Sequence, residues 1–197
     1  MNSWKSCVFL LCWVIFLFSS TPLTGQTVQL EVEPNHSSLG FSIPIGGFTR
    51  VTGKFNDIAI NLDYVNNDMA QSSVEAIIQV KSINTGIPAR DEHLLSADFF
   101  DAEKYPTITF KSTKIFPFED RFLAIGTFSM HGVTQEVVLP FKIVKADGNT
   151  LGIQIRTQLN RLDYGVAKDF KHTSMPDFLG EIIDVEIDFW TRKKKKE

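Results

Sequence analysis

Beyond position 12 the chain contains no cysteine. Its two cysteines, Cys7 and Cys12, lie in the first 25 residues, so the other 172 (197 − 25) can form neither a disulfide nor a thiolate metal site. A cysteine nucleophile is excluded on the same ground. Histidine is scarce as well: His36, His93, His131 and His172 are scattered, with no H-x-H or H-x-x-x-H pair. Any metal site would have to be assembled across distant strands. There is no G-x-S-x-G elbow and no phosphate-cradling glycine loop. A net positive charge is missing too. The formal charge is −3, or −4 once Lys5 is set aside (−3 − 1). That excludes the basic footprint of a nucleic-acid binder. These absences leave no cofactor, no metal and no catalytic residue to expect.

Long hydrophobic runs are also lacking. Cys7–Phe18 is a run of twelve apolar residues, short of the roughly 20 that cross a bilayer. Lys5 precedes it and the small, polar SSTPLTG follows, the order of a secretory signal peptide. Residues 1–25 are therefore read as a signal with cleavage after Gly25, although Leu23 fits poorly at the −3 position. An uncleaved anchor is the alternative, and Leu11 is too large for lipidation at Cys12. The expected location is periplasmic or secreted. Residues 193–197 form a basic tail around Lys193–Lys196. It is read as a solvated end, or as a peripheral contact with anionic lipid headgroups.

What remains, 26–192, alternates with period two and reads as strands. The runs are Val28–Val32, Leu39–Ile45, Phe55–Leu62, Val74–Val80, Ile108–Phe110, Phe122–Met130, Val133–Ile143, Leu151–Leu159 and Ile183–Phe189. The last is the clearest, with Ile183, Val185, Ile187 and Phe189 on one face and Asp184, Glu186 and Asp188 on the other. Gly46-Gly47, Asn66-Asn67-Asp68, Glu119-Asp120, Gly132 and Asp147-Gly148-Asn149 supply the turns. Pro88, with Asp91 and Glu92 after it, starts one short helix expected over about 90–101.

Eight or nine antiparallel strands with one helix fit a closed barrel, because closure removes exposed edges. Such a barrel is either filled by side chains or hollow enough for one small ligand. Ala124, Gly126 and Phe128 share a face, and mixed large and small residues there either leave a channel or simply pack. Arg90, Asp91 and His93 lie within one helical turn. They either tie the helix to neighbouring strands or donate to phosphate or carbonyl oxygens at a cavity mouth. Asn160-Arg161-x-Asp163-Tyr164-Gly165 ends a strand, with Arg161 and Asp163 close enough in sequence to pair. His36 and His131 stand beside turns, as bonds to loop backbone or as donors to a ligand headgroup.

Several of these pieces recur in order in a known family. They are His36-Ser37, Gly53-x-Phe55, Arg90-Asp91-x-His93-Leu94-x-Ser96-x-x-Phe99-Phe100-Asp101 and Tyr105-Pro106-x-Ile108-x-Phe110-x-Ser112, then Met130-His131-Gly132-Val133-Thr134, Asn160-Arg161-x-Asp163-Tyr164-Gly165 and Gly180-Glu181-x-Ile183-x-Val185. In this set the chain resembles the YceI-like, polyisoprenoid-binding proteins of the lipocalin-like barrel class. One departure is Glu33-Pro34, where the family more often has Asp. The resemblance implies an all-β, eight-stranded antiparallel lipocalin-like barrel with a helical insert. It implies a channel for the tail of an isoprenoid or other long-chain lipid, such as a quinone, a prenyl phosphate or a fatty-acid derivative. It carries over no catalytic set.

Residue type then nominates His36, Arg90, His93, Phe99, Phe110, Phe128, His131 and Arg161 as ligand contacts. The expected function is binding or carriage of an amphiphilic lipid, not catalysis. The alternatives are an enzyme on a small lipid, with His131, His93 or Asp163 as acid or base, and an envelope stress module with a filled barrel.

Overall fold

The alternating runs pair into one antiparallel sheet that closes on itself. The computed structural model describes residues 26–66, 68–147, 150–175 and 177–194. The signal-like segment, the end of the basic tail at 195–197, Asn67, Gly148, Asn149 and Pro176 lie outside the described residues. The strands are β1 (Thr27–Val32), β2 (Ser38–Ile45), β3 (Thr49–Phe55), β4 (Ile58–Val65), β5 (Ser73–Gln79), β6 (Ile83–Asn84), β7 (Thr107–Phe118), β8 (Arg121–Met130), β9 (Val133–Ala146), β10 (Leu151–Asn160) and β11 (Ile182–Lys193). The order β1-β4-β5-β7-β8-β9-β10-β11, with β11 returning to β1, is a closed ring of eight. β2, β3 and β6 prolong three of its members. The pairs β1–β2, β3–β4 and β6–β5 are three long strands, each broken once, in a meander. Lys193, first residue of the basic run, is still in β11 opposite Leu30.

Each break has a local cause. Pro34 opens a 3-10 turn, Pro34–His36, and has no N–H for a ladder. Glu33 caps that turn by accepting the His36 N–H at 3.0 Å. Six residue steps from Val32 to Ser38 (38 − 32) thus face three from Asp188 to Thr191 (191 − 188) on β11. Asn56 and Asp57 break the second long strand, and the 3-10 turn Val80–Ser82 the third. The Phe55–Leu62 run, expected as one strand, straddles the second break. β3 carries little apolar alternation because a Cβ at Gly53 would meet the ring of Phe41. A neighbour's ring occupies space that a β3 side chain would need.

The helix α1 (Pro88–Leu95) is shorter than the expected 90–101. Ser96 leaves helical geometry (ψ 170°), and its hydroxyl and amide both bond to the His93 carbonyl. Tight turns then carry the chain to Asp101, at φ 46°. The insert 96–105 leads into β7, and its Phe99 and Ala102 are buried in one cluster with Ile83 and Met130. The β8–β9 hairpin turns on His131 (φ 51°) and Gly132 (φ 77°), a pair of left-handed residues that suits a two-residue loop.

The interior divides along its axis. In the half built on β1 and β4, Leu30, Leu62, Phe110, Phe141, Leu151 and Phe189 pack into a solid core. Phe122 stacks on Phe141 with centroids 5.4 Å apart. Gly126, a candidate channel position, is closed: a Cβ there would strike the Phe110 ring. In the half built on β2, β3 and β6, a second set of buried residues lines a shell instead. One wall of that shell is incomplete. β9 and β10 pair only as far as Phe141 opposite Ile155, and the next β9 residue is Pro140.

Glu33 ties the first break together. Its carboxylate lies 2.7 Å from His36 Nδ1 and accepts from Asn35 Nδ2 at 3.1 Å. The His36 ring bond, opposed by burial and aided by backbone donors, holds its pKa below the ordinary 4.5. The stability this gives is whole above 4.5 and is lost as pH falls through the lowered folded-state value. Urea titrations from about pH 5 down to pH 3 are expected to show a shallower acid loss in Glu33→Gln than in the parent. Equal slopes would show that this carboxylate carries none of the acid sensitivity.

Candidate functional site

The shell encloses a cavity of about 400 Å³. Its floor is Ile78, Ile108, Phe128 and Ile187, resting on the packed half. Leu39 and Phe41 from β2 and Phe55 from β3 form one side. Leu94 of α1, with Phe99 and Phe100 of the insert, closes another. Val166, Phe170, Phe178 and Leu179, from the long β10–β11 connection, complete it. The polar residues among the lining are Arg90, His93, Thr157, Gln158 and Arg161.

Of the eight nominated residues, Arg90, His93, Phe99, Phe128 and Arg161 meet at this cavity. The other three do not. Phe110 packs in the solid half. It pairs in register with Phe128, whose ring borders both the solid half and the cavity. His36 lies outside the barrel, its ring stacked on Trp190 at 4.9 Å and bonded to Glu33. His131 stays on its hairpin, where Nδ1 is 3.0 Å from the Tyr164 carbonyl and the ring meets Tyr105 at 4.8 Å.

The charged members of the lining hold protein before they could hold ligand. Arg90 donates from Nε to Thr85 Oγ1 at 2.8 Å and from Nη2 to the Thr85 carbonyl at 2.9 Å. Asp91 accepts the Thr85 N–H at 2.8 Å, so Thr85 anchors the first turn of α1 twice. His93 sets its ring against Phe99 (4.8 Å) and Phe170 (6.1 Å), with half of its side chain exposed. Asp98 is 3.8 Å from its Nε2.

Arg161 is only 7% exposed. It does not pair with Asp163 as the spacing suggested; four carbonyls surround it instead. Nε donates to Gly180 (2.8 Å), Nη1 to Val166 and Ala167 (2.8 Å each), and Nη2 to Leu179 (3.2 Å). One guanidinium thereby pins both ends of the 165–180 connection, which supplies Val166, Ala167, Phe170, Phe178 and Leu179 to the cavity lining. Desolvation lowers its pKa, with Glu181 opposing, but arginine starts so high that the charge persists.

The residues that composition did not single out are Phe41, Phe55, Phe170 and Phe178. The first two stand in readable strands, where alternation could have nominated them. The last two lie in a connection without period, and nothing in the pattern pointed to them. Among the described residues no group of His, Cys, Asp and Glu could hold a metal ion.

Arg161→Lys keeps the charge and loses the fork. We expect a loss of about 3 kcal/mol in urea unfolding and faster proteolysis within 165–180. Parent-like values for both would remove Arg161 as the clamp.

The YceI-like domain description matches residues 30–190. UPF0312 proteins of Vibrio vulnificus and Vibrio cholerae are 29% and 30% identical over 158 and 155 residues. The matches cover 76% and 75% of this chain and 84% and 82% of those proteins. Among solved structures, BcnA of Burkholderia cenocepacia superposes with a TM-score of 0.71 at 19% identity, over 81% of this chain and 98% of that one. A YCEI protein of Campylobacter jejuni gives 0.65 at 25% identity, over 75% and 88%. A polyisoprenoid binding domain from Saccharophagus degradans gives 0.68 at 14% identity, over 85% and 99%. With the family description spanning the barrel from β1 to β11, this chain belongs to the YceI-like family.

Proposed function

We propose that this protein binds or carries an amphiphilic lipid, with the apolar tail held in the upper half of the barrel. The observation that carries this reading is the cavity of about 400 Å³, walled almost wholly by Phe, Leu, Ile and Val. Its size lies within the roughly 300–1,000 Å³ of small-molecule sites. The shared fold of the Saccharophagus degradans polyisoprenoid binding domain supports the same reading. The signal-like N-terminus supports work in the periplasm or outside the cell. A filled barrel describes only the half around Phe110 and Phe141.

The size of the cavity narrows the ligand. At roughly 30 Å³ per water-sized group, it takes on the order of 13 methylenes. That is one medium acyl chain, or two to three isoprene units. A longer isoprenoid would meet the packed half and must leave its remainder outside. Each methylene buried contributes about 0.8 kcal/mol, roughly fourfold in affinity.

Displacement of the neutral fluorophore N-phenylnaphthylamine by straight-chain alcohols tests this. Affinity should climb about fourfold per carbon and level off near roughly 13 carbons. Val185→Trp, which pushes an indole into the open space from β11, should fold and weaken the series on the order of tenfold or more. Absence of probe binding and of copurifying lipid in mass spectra of extracts would refute lipid carriage. A climb without a plateau would refute the size limit alone.

A further inference from the structure

The wall between β9 and β10 is parted beside the cavity. Their ladder ends at Phe141 and Ile155. The same register would set Pro140 opposite Arg156 and Val138 opposite Gln158, but no pairing continues. Pro140 has no N–H to offer there. Beyond it β9 stays paired to β8 alone and β10 to β11 alone. At the far end β9 meets the 3-10 turn Arg161–Tyr164 that follows β10, where Gln135 Nε2 donates to the Asp163 carbonyl at 3.0 Å. The gap runs along residues 136–140, roughly 15 Å at strand rise.

Side chains show that this gap reaches the interior. Val137 and Leu139 point inward from β9 and line the cavity, as expected. Val138, between them, points outward and is 52% exposed, yet it lines the same cavity. Thr157 and Gln158 on β10 repeat the pattern. Neighbours of opposite facing can border one space only where the sheet is open. A paired sheet would have hidden Val138 and Gln158 from the interior.

We infer that this parting is the lateral portal through which the lipid passes, and that the ligand's polar end rests in it. The inference depends on the lipid-binding reading above. The edges of the gap offer backbone N–H and C=O groups with no strand opposite, and these are ready hydrogen-bond partners. The Thr157 hydroxyl has no hydrogen-bond partner among the described residues. Charge selects the class of polar end. Arg156 is engaged by Asp188 at 2.6 Å and by the Ile155 and Ile187 carbonyls. Gln158 is turned to Asp184 at 2.7 Å. Glu136 is an exposed acid on the opposite edge. Among the described residues no uncommitted cation stands at the gap, so it suits a neutral hydrogen-bonding group, such as a hydroxyl, an amide or a quinone carbonyl, and disfavours a phosphate.

A staple across the gap tests this in the full chain, with Cys7 and Cys12 changed to serine. Val138→Cys and Gln158→Cys stand on opposite edges of the gap and are joined by a short bis-maleimide. With N-phenylnaphthylamine as probe and dodecanol as chase, stopped flow should show entrance and release both slowed at least tenfold in the closed form. The uncrosslinked double variant is the reference against which the closed form is read. Equal rates in the two forms would overturn the portal. Hydrogen exchange provides the second measurement. Amides among 136–139 and 156–159 that face the gap should exchange faster than those of Ile153 and Ile143, and equal protection would show a zipped wall and overturn the portal. In competition, dodecanamide should outbind dodecyl phosphate at least tenfold, and the reverse order would overturn the assignment of the polar end. If the parent binds no probe while its amides exchange as stated, the lipid reading fails and the open wall stands.

Discussion

β11 hydrogen-bonds to two different segments along its length. Thr191–Lys193 pair with β1 and Asp184–Asp188 with β2, and the turn at Pro34–His36 takes up the difference. Everything else about the interior follows from this constraint. A ring of eight unbroken strands has one width, and an eight-stranded barrel is about wide enough for side chains to fill. Breaking three neighbouring strands lets the second half splay away from the first. Below the breaks the ring closes tightly on Phe110, Phe141 and Phe189. Beyond them β2, β3 and β6 wall the cavity, and among the described residues β6 has no further strand beside it. The insert 88–105 covers that edge, and Phe99 and Phe100 are the part of the cover that faces in.

The insert and the long β10–β11 connection are built alike. Each is irregular backbone brought against an apolar space, and each is held by an arginine that spends its donors on main-chain or hydroxyl oxygens. Arg90 fastens the start of α1 to Thr85, and Arg161 gathers four carbonyls from 166–180. Buried carbonyls left alone are costly, and a planar cation meets several at once. The cations nearest the cavity are therefore largely committed. That is why the interior reads as a tail site, and why an anionic headgroup finds little waiting for it.

How much of this was legible in the sequence depends on what period two encodes. It encodes the face of a residue, and so the runs in β8, β10 and β11 were readable, as was the oily side of Ile183–Phe189. It does not encode height along the barrel. Phe110 and Phe128 are cross-strand partners with the same inward facing, and only the splay above them decides that one fills the plug and the other lines the cavity. β3 was hidden for a different reason: the ring of Phe41 stands over Gly53, so the strand's own pattern is blank where a neighbour does its packing. Phe170 and Phe178 were hidden because their positions come from Arg161 and not from any repeat. His36 and His131 looked functional because turns and ligand sites draw on the same residue types. Their bonds to Glu33 and to the Tyr164 carbonyl fall on the turn side.

The division into a solid half and a hollow half also resolves how a chain without a disulfide beyond residue 12 keeps open space inside. Leaving about 400 Å³ unfilled forgoes on the order of 10 kcal/mol at about 24 cal/mol per Å³. That is comparable with the whole net stability of a domain, about 5–15 kcal/mol. Selection for stability alone would place larger side chains at Val185, Val137 or Thr157, which border the space. The solid half can bear the fold because its core residues pack among themselves. The hollow half can then be assembled from broken strands, a proline-ended ladder and two clamped connections. A proline in β9 is costly to a barrel that must only be stable, since it leaves β10 with an unpaired edge. In a barrel whose interior must exchange an apolar guest, the same residue opens the wall beside the guest and leaves the ring below it intact.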